Sequence, residues 1–212
     1  IMRCQANLRV GIDSANDLLY EQKYVEAELL YRKLLKQFPT TKTLSAHEDR
    51  LRILVLEKLG SINTLYLDDY NAAISYYGIL VHNYPKSKEA FAARATVADI
   101  YHHKLGKLQS ALDEFQKLVT QFPNHPRARW AQLQIVTIYL QLKNYEQART
   151  EAKTILEKWA TSDEAKQTQF LVANSYFVQN RYTEAIATYK KLLAMDANSE
   201  FAALINLIIL SD

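Results

Sequence analysis

The densest cluster of reactive side chains in the sequence is formed by Asp99, His102 and His103. Asp99 and His103 are four residues apart, so on an α-helix they share a face and could bind a divalent metal together with a third ligand. The alternative is an exposed acid–imidazole pair near a helix end, where a protonated histidine is mildly favoured. We adopt that alternative and expect no metal and no other cofactor.

Other catalytic arrangements are missing from the sequence. It contains no glycine-rich phosphate loop, no nucleophile elbow and no His-Glu metal motif. The one cysteine, Cys4, excludes an internal disulfide and a cysteine-based zinc site. The adjacent carboxylates Asp68 and Asp69 suit a turn and a helix cap. The sequence therefore predicts a protein that is not an enzyme.

A nucleic-acid-binding function is suggested by five basic residues near the junctions between candidate helices: Lys86, Lys88, Arg94, Arg127 and Arg129. Acidic residues such as Glu89 interrupt them, and the formal net charge of the chain is only +3. A protein that follows a phosphate backbone needs a stronger positive field. We expect no nucleic-acid partner, and a nucleic-acid-binding helical repeat remains the alternative.

The elements that position these residues are indicated by a repeated spacing. In "NRYTEAIATYKKLLAMD", Tyr182, Ala185, Tyr189 and Leu192 lie at offsets of zero, three, seven and ten. These offsets place all four on one face of an α-helix. Four upstream segments repeat the series: Tyr24, Ala27, Tyr31, Leu34; Tyr70, Ala73, Tyr77, Leu80; Leu108, Ala111, Phe115, Leu118; and Tyr145, Ala148, Ala152, Ile155.

The alanine in the second position of all five segments predicts close helix packing. A small side chain lets a neighbouring helix approach, and the large residues beside it act as knobs. Each segment follows a candidate partner helix with its own small residue, the poorest fit being Val136; the others are Ala15, Gly60, Ala98 and Ala173. The second and third turns carry one extra residue. A chain of 212 residues with 49% hydrophobic residues but only 4 Gly and 4 Pro also favours an all-helical fold.

Start and stop signals support these helices. Ser45 with Glu48, and Thr161 with Glu164, fit the capping-box pattern, while Ser87 and Asn198 are candidate N-caps. Proline ends the first three repeats at Pro39, Pro85 and Pro123. About nine extra residues around "TTKTLSAHED" predict a longer loop or helix start in the second repeat.

Three of these features resemble the tetratricopeptide repeat over nearly the whole chain. They are the small-then-aromatic first helix, the Y-x-x-A opening of the second helix and the closing proline. The resemblance implies an all-α, right-handed α-α superhelix of about five helix pairs and a C-terminal helix. It forms a single solenoid over 1–212, with repeats at about 5–40, 44–86, 87–124, 125–160 and 161–197 and the last helix at 198–211.

The "FP" and "YP" repeat ends are similar to one bacterial subgroup: the β-barrel assembly lipoprotein, the Tol-Pal coordinator and pilus-assembly lipoproteins. This likeness favours the bacterial cell envelope, on the periplasmic side, with the cytoplasm as the alternative. Arg3 stands where a lipoprotein signal has a small residue, which disfavours lipidation of Cys4. No apolar run reaches the roughly 18 residues of a membrane span.

The family resemblance implies a non-catalytic scaffold that binds a protein or peptide in a concave groove lined by the first helices. The alternative is the regulatory repeat region of a larger enzyme. The implied groove residues are Asn16, Tyr20, Glu57, Ser61, Thr64, Asp99, His102, His103, Trp130, Thr137, Gln141, Phe170, Asn174 and Phe177.

The groove chemistry distinguishes two kinds of ligand. Some family members clamp a C-terminal carboxylate with Lys, Asn and Arg. Asn16 and Asn174 occupy clamp-like positions, but Ile12 and Phe170 stand where the lysines would be, so we do not expect this clamp. Trp130, Phe170 and Phe177 instead suit a peptide with apolar anchors, or they pack between adjacent repeats. The apolar segment Phe201–Leu210 needs cover, so we expect a longer natural chain or docking on a partner or a second copy.

Overall fold

The computed structural model describes residues 2–39 and 44–196, together with Ala202 and Ile205. Within these residues the chain forms α-helices and a π-helical turn, and no strand. The helices are α1 Met2–Tyr20, α2 Tyr24–Leu35, α3 Ala46–Leu65, α4 Tyr70–Asn83, α5 Lys88–Asp99, α6 Leu108–Gln121, α7 Ala128–Gln141, α8 Tyr145–Lys158, α9 Asp163–Phe177 and α10 Tyr182–Met195; the π-helical turn, Ile100–Lys104, continues α5. The predicted all-α class is confirmed.

The chain divides into two compact units, unit 1 at Ile1–Lys107 and unit 2 at Leu108–Asp212. In unit 1, α1 packs on α2 and α3 packs on α4, while α5 packs on α4. In unit 2, α6 packs on α7, and the pairs α7–α8 and α9–α10 form two further hairpins. Each unit is therefore built from helix hairpins that contact their neighbours along the chain.

The five alanines of the repeated pattern are all in the core. Ala27, Ala73, Ala111, Ala148 and Ala185 are at most 1% exposed. Large side chains of the same faces, such as Tyr31, Phe115 and Tyr189, are fully buried as well. The prediction that alanines mark the contact points between paired helices is confirmed.

The first residue of each pattern is only a partial core knob, so this part of the prediction is confirmed in part. Tyr24 and Tyr70 are half-buried and pack against the core of unit 1. Tyr24 also stacks on the half-exposed Tyr66 with 4.0 Å between ring centroids, whereas Tyr182 is 45% exposed. These residues open their helices, so they lie at the edge of the helix contact.

The predicted small residue Gly60 marks a very close helix contact. A Cβ atom added there would lie 2.5 Å from Cζ of Tyr77, whose ring covers this part of α3. A second close contact joins Gly11 of α1 to Leu34 of α2, where an added Cβ would lie 2.5 Å from Cδ2. Glycine is therefore required for the observed packing at both positions.

The turn before each of α2, α4, α6, α8 and α10 contains one residue in the left-handed region, two positions before that helix. These residues are Gln22, Asp68, Gly106, Lys143 and Asn180, with φ between +52° and +62°. In three turns the following amide donates to a carbonyl five residues back, as Lys23 does to Leu18 at 2.8 Å. This is the Schellman ending of a helix, built here mostly without glycine.

The extra residue of the third turn is absorbed by the π-helical turn. Leu105 N donates to Ile100 O at 3.0 Å, and Lys107 N reaches six residues back to Tyr101 O at 2.8 Å. A π-turn accommodates one inserted residue without ending the helix. The extra residues of the second repeat lengthen the first helix, since α3 has 20 residues and α7 has 14.

The cap predictions are confirmed in part. Ser45 and Glu48 form the expected capping box, and the Asp69 carboxylate accepts from Ala72 N at 3.0 Å. The box at Thr161 and Glu164 is wrong, because the N-cap is Ser162, whose hydroxyl accepts from Ala165 N at 3.1 Å. Ser87 occupies an N-cap position without a side-chain bond, and Asn198 lies outside the described residues.

Most of the predicted C-terminal helix also lies outside the described residues. Ala202 and Ile205 are helical, and Ile205 is buried with Ala173, Ala185 and Tyr189 of the last hairpin. This side chain therefore extends the core of unit 2.

Candidate functional site

The first helices of successive hairpins contact one another within each unit. In unit 1, α3 contacts both α1 and α5, and in unit 2, α7 contacts α9. We call the resulting surfaces the first-helix face of unit 1 and the first-helix face of unit 2. All fourteen residues implied by the family resemblance belong to these helices or to the π-helical turn.

In unit 1 the predicted residues differ in accessibility. Tyr20 is 91% exposed and Glu57 is exposed, whereas Asn16, Ser61 and Thr64 are half-buried. The two hydroxyl groups donate to carbonyls of their own helix, Ser61 to Lys58 at 3.1 Å and Thr64 to Gly60 at 2.8 Å.

The three polar residues of the third repeat lie at the π-helical turn. His102 is only 7% exposed, Asp99 is half-buried and His103 is exposed. The two imidazole rings are in contact, with 4.0 Å between their centroids. Within the described residues no group of three or more His, Cys, Asp or Glu side chains could hold a metal ion.

The predicted aromatic residues of unit 2 pack partly inside the unit. Trp130 meets Phe115 of α6 edge to face, at 5.5 Å between centroids, and Phe170 lies 6.1 Å from Tyr189 of α10. Phe177 is the most open of the three and contacts Tyr182 at 5.5 Å. Thr137 is half-buried and Gln141 is exposed.

Asn16 and Asn174 have the same contact in the first and last hairpins. Asn16 Oδ1 accepts a hydrogen bond from Tyr31 at 2.6 Å, and Asn174 Oδ1 accepts one from Tyr189. Burial, followed by the charge of Asp13, raises the pKa of Tyr31 to about 12, so the hydroxyl keeps its proton. Each hydroxyl thereby fixes the orientation of an amide on a first helix.

A cavity of about 400 Å³ opens between α1 and α3 on the first-helix face of unit 1. Arg9, Asp13 and Asn16 of α1 form one wall, and His47 and Arg50 of α3 form the other. Ile12, Leu51 and Leu54 supply its apolar floor. Of these eight residues, the groove set implied by the family resemblance contains Asn16 alone, and Ile12 enters only as the position of a missing clamp lysine.

Unit 2 contains one buried arginine on the second helix of its α7–α8 hairpin. Arg149 of α8 donates to Ser175 Oγ at 3.0 Å and to Gln179 Oε1 at 2.8 Å, and it pairs with Glu146. Its guanidinium also lies 4.4 Å from the ring centroid of Tyr176. The arrangement ties α8 to α9, so its role is structural.

None of the helices in the described part of the chain is both long enough and apolar enough to cross a membrane. The fold is that of a helix-hairpin repeat protein, a class of protein-interaction scaffolds that is typically non-catalytic. The family model for the tetratricopeptide repeat matches residues 63–126 and 133–200, which together exceed half of the sequence. The chain belongs to the tetratricopeptide repeat family.

Solved structures show the same fold. A tetratricopeptide repeat protein from Parabacteroides merdae is 19% identical, with a TM-score of 0.65, over 98% of this chain and 74% of that one. MamA is 17% identical, with a TM-score of 0.61, over 90% and 92%. YrrB, described as having an unusual peptide-binding site, is 13% identical, with a TM-score of 0.61, over 92% and 90%. A search of curated proteins gave no match.

Proposed function

We propose that the protein is a non-catalytic scaffold that binds a partner protein, through an extended or helical peptide segment, on its first-helix faces. The observation that carries the proposal is the direct contact between successive first helices, which makes one continuous face in each unit. YrrB, with the same fold, is described by its peptide-binding site, which supports a peptide as the ligand.

The residue spacing on the helices of unit 1 supports this face. Arg9, Asp13, Asn16 and Tyr20 follow one another at intervals of four, three and four, so they share one face of α1. Arg50, Leu54, Glu57 and Ser61 repeat these intervals on α3. A peptide laid along the cavity would therefore meet predicted groove residues from both helices.

Site-specific crosslinking tests the proposal. Peptides are selected from a random dodecapeptide display library on the purified chain and synthesised. Photoreactive p-benzoylphenylalanine is then placed at Tyr20, Glu57 or Phe177, and at the exposed second-helix positions Leu29 and Lys153 as matched controls. We expect crosslinks at first-helix positions alone. Crosslinks confined to Leu29 or Lys153 would exclude the groove, and a library without binders would count against the scaffold function.

We further propose that this scaffold works in a bacterial envelope, secretion or motility assembly. The support is the repeat ending at Phe38-Pro39, Tyr84-Pro85 and Phe122-Pro123, which resembles envelope members of the family. Fractionation of the source cells should recover the protein with the envelope. Recovery in the cytosol alone would contradict this assignment.

A further inference from the structure

We propose that the cavity between α1 and α3 binds an acidic side chain of the partner peptide, with a neighbouring apolar side chain seated on the cavity floor. This inference rests on the proposed function and adds the ligand chemistry of the first-helix face of unit 1. It concerns Arg9 and Arg50, which neither the family resemblance nor the repeat pattern singles out.

The charge of the cavity favours an anion. Arg9 and Arg50 lie on opposite walls, with His47 beside Arg50, and Asp13 is the one acid among the described residues that line the cavity. Guanidinium groups remain protonated at all physiological pH values and bind carboxylates with paired donors. Two such groups against one carboxylate leave the cavity positive.

Arg9 and Arg50 also differ from two arginines of unit 2 that are paired with acids. Arg149 pairs with Glu146, and Arg129 pairs with Glu164 at 2.9 Å. Arg9 and Arg50 make no ion pair within residues 2–39 and 44–196, and both are exposed. Their charge therefore remains available to a ligand.

The floor of the cavity favours a peptide over a nucleic acid. Ile12 is buried, and Leu51 and Leu54 are half-buried between the charged walls. A volume of about 400 Å³ is at the lower end of the range for small-ligand sites, so it suits one or two side chains. Phosphate backbones are bound by rows of cations without an apolar floor. A peptide with an acidic residue next to a leucine-like residue would match both the charged walls and the apolar floor of the cavity.

Asn16 supplies an oriented donor at the same place. Its Oδ1 accepts from Tyr31 at 2.6 Å, so its Nδ2 hydrogens remain to donate to a peptide carbonyl or a carboxylate. Tyr31 is fully buried and holds the amide in position before a ligand arrives. Such preorganisation lowers the entropy cost of binding.

The extended start of α3 builds the second wall. His47 and Arg50 lie in the first five residues of this 20-residue helix. The capping box of Ser45 and Glu48 fixes that helix end. The extra residues of the second repeat therefore place the cations opposite Arg9.

The test uses the whole chain and the dodecapeptide display library described above. We expect the recovered sequences to be enriched in Asp and Glu next to apolar residues. Fluorescein-labelled copies should bind at least about tenfold more weakly to the Arg9→Gln/Arg50→Gln variant, and raising the salt concentration should also weaken binding. The matched control Lys33→Gln/Lys36→Gln, which removes two exposed charges from the last turn and the C-cap of α2, should change the Kd by less than about twofold.

A gain of affinity separates binding from misfolding. Asp13→Asn removes the opposing acid and should tighten binding of the acidic peptides severalfold, a result that a damaged fold cannot produce. Peptides that bind without acid enrichment, or equally well to Arg9→Gln/Arg50→Gln, would overturn this inference and leave the scaffold function intact. A labelled single-stranded oligonucleotide that bound in place of the peptides and lost affinity on the same substitutions would also overturn it.

Discussion

Unit 1 and unit 2 use the same position of the hairpin in different ways. Thirteen residues before the second helix, the first hairpin of unit 1 has Gly11, which lets Leu34 approach the backbone of α1, while the second hairpin of unit 1 has the exposed Glu57. Unit 2 has Gln132 and Gln169 there, and these amides donate across the hairpin to Glu151 Oε2 at 2.8 Å and to Thr188 O at 3.1 Å. The repeat pattern therefore sets the helix spacing, while the contact that holds each pair of helices together can be apolar packing or a hydrogen bond.

The two first-helix faces differ in a related way. In unit 1, Arg9 and Arg50 stand across an open cavity. In unit 2, Arg129 is paired with Glu164, and Trp130 and Phe170 pack against aromatic neighbours. On these faces, unit 1 therefore leaves Arg9 and Arg50 open to solvent, whereas unit 2 pairs Arg129 within the fold.

Alkaline unfolding should show the largest difference between the units. Burial raises the pKa values of Tyr31 and Tyr77, both in unit 1, to about 12. Their folded pKa exceeds the unfolded value of about 10, so stability is complete below pH 10 and falls as the pH rises towards 12. Together they should cost about 2–3 kcal/mol at pH 11.

Urea unfolding at pH 9 and pH 11 measures this loss. Tyr31→Phe/Tyr77→Phe should flatten the pH dependence, and the exposed pair Tyr20→Phe/Tyr66→Phe should retain it. An equally steep loss in the Tyr31→Phe/Tyr77→Phe variant would show that other groups control alkaline stability.

The hydrogen bonds of the buried Arg149 in unit 2 predict the next largest effect on stability. Arg149→Met keeps most of the aliphatic stem but leaves Ser175 and Gln179 without their donor, and it should destabilise the chain by about 2 kcal/mol. Lys153→Met, at an exposed site of α8, should stay within about 0.5 kcal/mol of the parent. Similar urea midpoints for the two variants would contradict a structural role for Arg149.

The close packing of unit 1 can be tested with two glycines. Gly60→Ala should destabilise the chain by about 1–2 kcal/mol, because the new methyl group displaces the Tyr77 ring. Gly78→Ala, where an added Cβ meets nothing within 4 Å, should stabilise α4 by about 0.5–1 kcal/mol. Thermal unfolding measures both, and a neutral Gly60→Ala would show that the Tyr77 ring can shift without cost.

The turns predict the smallest effects, of opposite sign in the two units. Lys143→Gly in unit 2 relieves a left-handed lysine at φ +57° and should stabilise the chain by about 0.5 kcal/mol. Gly106→Ala in unit 1 places a side chain at φ +62° and should destabilise it by about 0.5–1 kcal/mol. If thermal unfolding showed that both substitutions change the stability in the same direction, backbone strain in the left-handed region could not explain them.

The sequence predicts the hairpins better than it predicts their surfaces. The alanine spacing identifies the helix contacts, because close packing tolerates few residue types at Ala27 or Ala185. It does not identify Gln22 or Lys143 as left-handed, since neither residue type is typical of that conformation. The π-turn at Ile100–Lys104 was visible only as one extra residue.

The cavity in unit 1 could not be predicted because it depends on tertiary contact. Arg9 and Arg50 are 41 residues apart, and each alone resembles an ordinary surface cation. The available signal is the extra length before Arg50, which predicts a longer loop or helix start but indicates no binding role for it. Similarly, Ser162 and Thr161 are equally good caps by type, and only the helix start at Asp163 separates them.

The positions of the two tryptophans have an optical consequence. Trp130 lies in α7 and Trp159 caps α8, so both of the chain's indole rings belong to unit 2. Selectively excited tryptophan emission therefore reports the melting of unit 2, while far-ultraviolet dichroism averages over both units. The separation between the two midpoints gives a label-free measure of how independently the halves of this chain come apart.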